Sequence, residues 1–285
     1  MEKTTQNSYH THISSKHNAL ELKLDEVWRY RDLILLFTKR NFVVRYKQTI
    51  LGPAWILLNP LFSSIIYAIV FGGIAKIGTE GIPTILFYLC SNAIWLFFAT
   101  CVTTNAQTFT NNADVFGKVY FPRLTMPISN MLSAGIHFCV QMLMVLGFLG
   151  FYLVQGAVHP NWACWLLIPV VLLHLGMLGL GCGIIVSSLT TKYRDLAILV
   201  DFAMQLWMYA TPVVYPLSTL EPGWIRTILL INPVTAPVEF FRYAILGQGS
   251  ILPGVLAVSW AITIGVMLIG IVIFNKVERT FMDTV

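Results

Sequence analysis

The sequence contains few charged residues. Asp, Glu, Lys and Arg make up 11% of its 285 residues, whereas soluble domains carry about 25%. Between Leu124 and Thr191 none of the four occurs, and hydrophobic residues reach 56% of the whole chain. The apolar segments also lack the two-residue alternation of a transmembrane barrel. These absences exclude a soluble protein and predict an all-α membrane protein with several membrane-spanning helices.

The sequence also lacks the motifs of a catalyst. It contains no G-x-x-x-x-G-K-[ST] nucleotide-binding loop, no nucleophile elbow and no cluster with metal-ligand spacing. Nothing in the polar tail fixes its three histidines in the geometry of a metal site. All five cysteines lie in apolar segments, where we expect buried thiols rather than disulfides: Cys90, Cys101, Cys139, Cys164 and Cys182. We therefore expect no catalytic residue, no metal and no cofactor on this chain.

The apolar runs predict six membrane spans in one transmembrane domain, which covers residues 48–285. Residues 1–24 form a polar tail without the apolar core of a cleavable signal peptide. An amphipathic helix over residues 25–47 follows this tail. Each run is long enough to cross the hydrocarbon core. We place the spans at about 50–74, 84–107, 127–154, 162–189, 196–216 and 252–275.

The amphipathic helix is predicted from a stripe of residues at helical spacing. Val27, Tyr30, Ile34, Phe37 and Val44 follow one another at three- and four-residue steps, with Asn41 in the gap of the series. A basic helix of this kind lies on the membrane surface, with its cations near anionic head groups. The interface residues that we expect there are Trp28, Arg29, Arg31, Arg45 and Tyr46.

Residues 217–251 predict a re-entrant hairpin between spans five and six. Two short apolar pieces, Trp224–Ile231 and 237–246, are each too short to cross alone but together can dip into the bilayer and return. Glu239 and Arg242 are three residues apart, so they share a helix face and can pair. The residues that we assign to this hairpin as an outer gate are Trp224, Asn232, Pro233, Glu239 and Arg242.

The positions of the basic residues predict the orientation. With six spans, fifteen of the 18 Lys and Arg residues fall on the side of the amino terminus. The positive-inside rule then places both termini in the cytoplasm and the hairpin outside. This distribution also accounts for the net charge of +5 without nucleic acid.

Two motifs carry a resemblance to a known family. The first comprises Arg45, Tyr46, Thr49, Leu51, Gly52, Trp55, Asn59 and Pro60. The second comprises Tyr193, Arg194 and Asp195, followed by Thr211, Pro212, Val213 and Tyr215. In their order and spacing they resemble the permease subunits of type-2 ABC exporters of polysaccharide, over most of the chain.

This resemblance implies a set of partners and a docking segment. It implies two copies of this chain and two ATPase subunits that bind ATP and Mg²⁺. The expected cargo is a lipid-linked polysaccharide, such as O-antigen, capsule or teichoic-type polymer, crossing a bacterial inner membrane. Residues 111–127 form a short charged loop between two spans, here called the coupling segment. Such a loop is often only a solvated turn, but in this family the segment is the coupling helix. The residues assigned to coupling are Asn112, Phe116, Lys118, Phe121, Pro122, Arg194 and Asp195.

Aromatic residues in or near the spans are candidates for the substrate path, because flat rings suit sugar faces. The candidates are Trp55, Tyr67, Trp207, Tyr209 and Tyr215, with Trp95 and Phe98 in the same group of aromatics. For any one of them, a role as an interface anchor or in packing is favoured over the substrate path. For the intramembrane His137 and His174, a paired structural role is favoured over a functional one. Asp201 should face protein or water rather than lipid.

Two other functions stay open. One is a type-2 ABC exporter of drugs or other small hydrophobic molecules, which shares this architecture. The other is a membrane enzyme acting on polyprenyl-linked sugars, which requires exposed acids. The loops offer Asp114 inside and Glu80, Glu221 and Glu239 outside. A neighbouring ATPase or glycosyltransferase gene would separate these functions.

Overall fold

The structure is a computed structural model that describes residues 24–119, 121–190, 193 and 195–281. These residues form helices joined by turns, with no strand among them. The predicted all-α membrane fold is confirmed.

The amphipathic segment forms two consecutive helices, α1 (Leu24–Arg29) and α2 (Arg31–Tyr46). Val27, Ile34 and Phe37 are buried, as the stripe predicts, but Val44 is 67% exposed. Val44, near the end of α2, borders a cavity.

The opposite side of these two helices is exposed and mixes basic with apolar side chains. It carries Trp28, Arg29 and Arg31 together with Leu35 and Leu36. The Arg31 guanidinium lies 5.9 Å from the centre of the Trp28 ring. Such a face suits a helix lying among lipid head groups.

The first long apolar segment, Gly52–Ile74, is built from three kinds of helix. A 3-10 turn (Gly52–Ala54) leads into α3 (Trp55–Tyr67), which continues as a π-helix (Ala68–Ile74). Gly52 has a φ of +54°, a conformation that glycine adopts without steric cost. This explains the glycine of the first motif, which turns the chain from the interface helix into the membrane.

Four further helices are long and apolar enough to span a membrane. They are α4 (Thr84–Ala106), α7 (Thr125–Val154), α8 (Ile168–Thr190) with the 3-10 turn that precedes it (Trp162–Leu167), and most of α12 (Pro253–Phe281). Two short helices, α5 (Thr108–Asn111) and α6 (Ala113–Phe116), lie between α4 and α7. All five apolar segments begin and end within two residues of the predicted spans.

The remaining predicted span is shorter as a helix than expected. We predicted residues 196–216, but α9 ends at Tyr209 after starting at Leu196, which makes 14 residues. Fourteen residues rise only about 21 Å, and the chain continues as a turn through Thr211 and Pro212. Pro212 has no backbone N–H to continue the helix.

The hairpin region forms α10 (Trp224–Ile231) and α11 (Thr235–Leu246), which are bent by 84° at Asn232–Val234. By length and composition the described helices therefore give five spans, or six if the bent pair is one broken span. Both ends of the pair contact loops. Ser218, just before it, donates a hydrogen bond to Glu80, and the Asn161 N–H donates to the Ala244 carbonyl at 3.1 Å.

Helix α4 is the centre of the core, with Phe87, Tyr88 and Phe98 completely buried. The glycine face of α8 lies directly against it. A Cβ added at Gly179 would come within 2.6 Å of the Cys101 Cβ, and one added at Gly183 within 2.4 Å of the Asn105 Cβ. Gly179 and Gly183 therefore allow α8 to approach α4 closely, as small residues do between membrane helices.

Candidate functional site

A large cavity lies where α2, the end of α4, α5, α6 and the start of α7 meet. Its volume is about 700 Å³. Most of its lining is neutral and polar, with hydroxyl and amide groups from four of these five elements. They include Thr100, Thr104, Gln107, Asn111, Asn130 and Ser133. No single polar group of this kind signals a site in the sequence, so the cavity was not predicted.

Two arginines and two carboxylates also line this cavity, namely Arg40, Arg45, Asp114 and Asp201. Asp201 thus faces a polar space, as predicted, and not lipid alone. Arg40 donates to the Asn112 side chain at 3.1 Å and lies 4.8 Å from the centre of the Phe37 ring. Partial burial lowers the pKa of Arg40 from its ordinary value.

Asparagine side chains connect the interface helix to the membrane domain. Asn41 on α2 donates to the Asn130 side chain on α7 at 2.9 Å. Asn130 donates in turn to Asn105 Oδ1 at 3.2 Å and to Thr108 Oγ1 at 3.3 Å. Asn112 donates to the Thr108 carbonyl at 3.0 Å. The amide groups therefore join α2, α7, α4 and the segment after it.

The role of Asn130 was not predicted from the sequence. The signal that could have revealed it is a strongly polar side chain inside an otherwise uncharged apolar run, where hydrogen-bonding groups face protein or a water-filled cavity.

A second cavity of about 370 Å³ adjoins the first, and Arg45, Thr100 and His137 line both. Its lining contains most of the first motif: Arg45, Tyr46, Thr49, Trp55, Asn59 and Pro60. The motif therefore folds around one space instead of being spread over unrelated surfaces.

Tyr46 and His137 form part of the wall of this second cavity. The Tyr46 hydroxyl lies 3.2 Å from His137 Nε2, and the Phe42 ring stacks on the His137 ring with 5.7 Å between their centres. Burial raises the pKa of Tyr46, against a smaller opposing effect of Arg45. His137 is paired, as we favoured from the sequence.

The predicted coupling segment divides into buried and exposed residues. The side chains of Phe116 and Phe121 are buried, and their rings stack with 5.6 Å between centres. Phe121 also packs on Phe37 of α2 at 5.5 Å. Both rings belong to a small core beneath the interface helix, and their assignment to coupling stays a prediction.

The exposed part of the same segment consists of Asp114, Lys118 and Val119, while Asn112 and Pro122 are half-buried. Asp195 and Tyr193 are exposed as well. Arg194 lies outside the described residues. Any protein that docks on this segment meets these exposed side chains first.

The aromatic path candidates occupy different environments. Trp55 is 40% exposed and Tyr209 is 51% exposed. Tyr67 and Tyr215 are half-buried, and the Tyr215 hydroxyl donates to the Tyr209 carbonyl at 3.0 Å. Trp95 and Phe98 are buried, so the packing explanation holds for these two.

Trp207 packs edge-on against Phe98 and donates from Nε1 to Asn232 Oδ1 at 3.1 Å. The Asn232 amide group then donates to the Ala210 carbonyl at 2.7 Å, and its Oδ1 accepts from the Val234 N–H at 3.1 Å. Asn232 thus holds the bend between α10 and α11 against the end of α9.

On the other side of the bend, the Ser259 hydroxyl donates to the Pro233 carbonyl. His174 Nε2 lies 3.0 Å from Ser259 Oγ and 2.9 Å from Thr263 Oγ1. The buried His174 therefore has polar partners on α12, which agrees with the structural role that we favoured.

Glu239 and Arg242 form a buried ion pair. Arg242 also donates to the Pro212 carbonyl at 2.8 Å, and its guanidinium lies 4.7 Å from the centre of the Phe87 ring. Glu239 accepts a hydrogen bond from the Leu217 N–H at 3.3 Å. The predicted pairing is confirmed, and it fixes α11 to α4 and to the turn after α9.

Long apolar helices packed around a polar cavity, with an interface helix at one end, define a multi-pass membrane protein of the transporter type. Residues 32–246 match the family described as ABC-2 type transporter. The chain belongs to this family. The resemblance drawn from its two motifs is confirmed. The chain is a type-2 ABC exporter permease.

Named relatives point in the same direction. The chain is 27% identical to an O-antigen export system permease protein RfbA of Klebsiella pneumoniae over 253 residues, 88% of this chain and 94% of that protein. A second RfbA permease from the same organism is 28% identical over the same shares. The RfbA permease of Myxococcus xanthus is 29% identical over 221 residues, 76% of this chain and 81% of that protein.

Proposed function

We propose that this chain is the transmembrane subunit of an exporter that moves lipid-linked polysaccharide, most directly O-antigen, across the bacterial inner membrane. The second candidate for the cargo is capsule or a teichoic-type polymer. The chain hydrolyses nothing itself, and a separate ATPase subunit drives transport. The similarity to three O-antigen export permeases supports this cargo.

The lining of the larger cavity is the observation that carries the proposal. A sugar polymer presents many hydroxyl groups, each of which loses hydrogen bonds to water unless the protein replaces them. The threonine, asparagine, glutamine and serine side chains of this cavity offer both donors and acceptors. A drug exporter would instead be favoured by a predominantly apolar lining.

The alternative of a membrane enzyme loses one of its candidate acids. The Glu239 carboxylate is buried in its pair with Arg242, so it is not free to act as an exposed catalytic acid.

The complex that we propose contains two copies of this chain and two ATPase subunits, with both termini in the cytoplasm. Exposed apolar side chains on α3 and α9, such as Phe62, Ile66, Ile198 and Phe202, supply a surface for a second copy. Asp114, Lys118 and Val119 supply the surface for the ATPase.

Gene deletion followed by complementation tests this function. We expect the deletion strain to lose polysaccharide at the cell surface and to accumulate lipid-linked polymer inside, with both defects reversed by the wild-type gene. Normal surface polymer in the deletion strain, together with increased retention of hydrophobic dyes, would contradict the proposal and support the drug exporter.

A further inference from the structure

The smaller cavity has a lining that differs from that of the larger one. It lies where the end of α2 and the start of α3 face α4 and α7. Among its lining residues Arg45 is the one with a permanent charge, and no carboxylate accompanies it. The carboxylates of Asp114 and Asp201 line the larger cavity and not the smaller one. The electrostatic environment of the smaller cavity therefore favours an anion.

We propose that this cavity binds a phosphate ester joined to a hydroxyl-rich group. A guanidinium presents a planar fork of N–H donors that matches phosphate oxygens. Arg45 lies on the wall that the two cavities share, so a phosphate bound here leaves the attached group next to the polar lining of the larger cavity.

The neutral residues around Arg45 suit the group attached to the phosphate. The Tyr46 hydroxyl, the His137 ring and the Thr100 hydroxyl offer donors and acceptors for hydroxyl groups. The Trp55 ring, 40% exposed at the same cavity, offers a flat apolar surface of the kind that a sugar ring covers. A volume of about 370 Å³ lies within the range of small-ligand sites.

Two molecules of the membrane carry such a group. One is the lipid-linked substrate, whose phosphate and first sugar would occupy the site, and this source rests on the proposed function. The other is a phospholipid with a hydroxylated head group, such as phosphatidylglycerol. The chemistry of the site is the same for both, so the experiment has to separate them.

Binding to the purified full chain, in a detergent without phosphate or sugar, tests the site. The probes are farnesyl diphosphate carrying N-acetylglucosamine, farnesyl diphosphate without the sugar, and short-chain phosphatidylglycerol as competitor. The variant is Arg45→Gln. The matched control is Arg31→Gln, which removes an exposed arginine of the same interface segment that lines neither cavity.

We expect Arg45→Gln to weaken binding of both farnesyl probes by about tenfold or more, the effect of losing a charged hydrogen bond. Arg31→Gln should leave the affinity nearly unchanged. Trp55→Leu should weaken the sugar-bearing probe by about threefold while sparing the sugar-free one. Arg45→Lys keeps the charge without the fork, and its weakened binding supports the proposal if Arg45→Gln does not fold.

Equal effects of Arg45→Gln and Arg31→Gln would overturn the site, and so would unchanged binding in Arg45→Lys. Competition identifies the source of the ligand. Tighter binding of the sugar-bearing probe than of phosphatidylglycerol assigns the site to the substrate. Equal, Arg45-dependent displacement by phosphatidylglycerol assigns it to a membrane lipid, and that result leaves the site intact even if polysaccharide export proves not to be the function.

Discussion

At the scale of single residues, the ion pair between Glu239 and Arg242 carries the clearest energetic consequence. Both side chains are buried, and removing one partner of a buried pair leaves an uncompensated charge, which costs about 3–5 kcal/mol. We expect Glu239→Gln to lower the melting temperature of the purified chain and its abundance in the membrane.

The exposed Glu221 provides the control, because Glu221→Gln removes the same charge from the hairpin region without breaking a buried pair. A Glu239→Gln chain as stable as the Glu221→Gln chain would contradict the account of the pair.

Phe116 and Lys118, two residues apart in the coupling segment, should respond differently to a change of charge. Phe116→Asp places a carboxylate in the small core beneath α2. We therefore expect the free energy of unfolding to fall by several kcal/mol and folded permease to be lost. Lys118→Asp alters an exposed position and should leave permease abundance normal while reducing co-purification with the ATPase. Quantification of both proteins in the same membranes distinguishes the two effects.

Whether the contacts of these residues could be predicted depended on how far apart in the sequence the contacting residues lie. The pairing of Glu239 with Arg242 follows from a spacing of three residues on one helix. The burial of Phe121 involves its contact with Phe37, more than eighty positions earlier in the chain, so no local pattern indicates it. The two cavities were not predicted for the same reason, since each is lined by segments that are distant in sequence.

At the scale of secondary-structure elements, the contact between α8 and α4 limits what can replace the glycines. A side chain at Gly183 would clash with Asn105, and overpacking of this kind costs about 1–3 kcal/mol. We expect Gly183→Val to reduce thermal stability. Gly147→Ala on α7 is the control, because nothing lies within 4 Å of the added Cβ, and it should be neutral or slightly stabilising.

The asparagine contacts between α2, α7 and α4 should affect transport more than assembly. Asn130→Leu removes the hydrogen bonds from Asn130 to Asn105 and Thr108 and the one it accepts from Asn41, each worth about 1 kcal/mol. We expect reduced polymer at the cell surface with ATPase binding retained. Thr110→Val, at an exposed position of α5, should export normally. Full export by Asn130→Leu would show that these contacts do not matter for transport.

The long helices could be predicted from the sequence, because an apolar run of twenty or more residues forms little else than a spanning helix in a membrane. The length of α9 could not be predicted, since hydrophobicity continues through Val214 while the helix stops near Thr211 and Pro212. The π-helix at the end of the first apolar segment had no sequence signal either.

At the scale of the whole molecule, the contacts of the hairpin favour a return to the side from which it starts. Ser218 before the helix pair contacts Glu80, and Ala244 near its end contacts Asn161. The loops that contain Glu80 and Asn161 are separated by two long apolar helices, so we expect them on the same side of the membrane. We then expect both ends of the hairpin on that side as well.

Thiol labelling checks this topology. Single cysteines at Ser218 and Ser250, in a background without other cysteines, should both react with an impermeant reagent added from outside. Both positions are exposed, so accessibility does not limit the reaction. Labelling of one position without the other would mean that residues 218–250 cross the membrane, and the proposed orientation would be wrong.

The ion pair of α11 also has a consequence for synthesis of the protein at the ribosome. Phe87, Pro212 and Leu217, which contact the pair, all precede Glu239 in the chain. When the charged residues of α11 reach the insertion machinery, the residues that contact them have therefore already been synthesised. The hairpin can settle against them before the final helix has been translated, so this permease can assemble in the order in which it is synthesised.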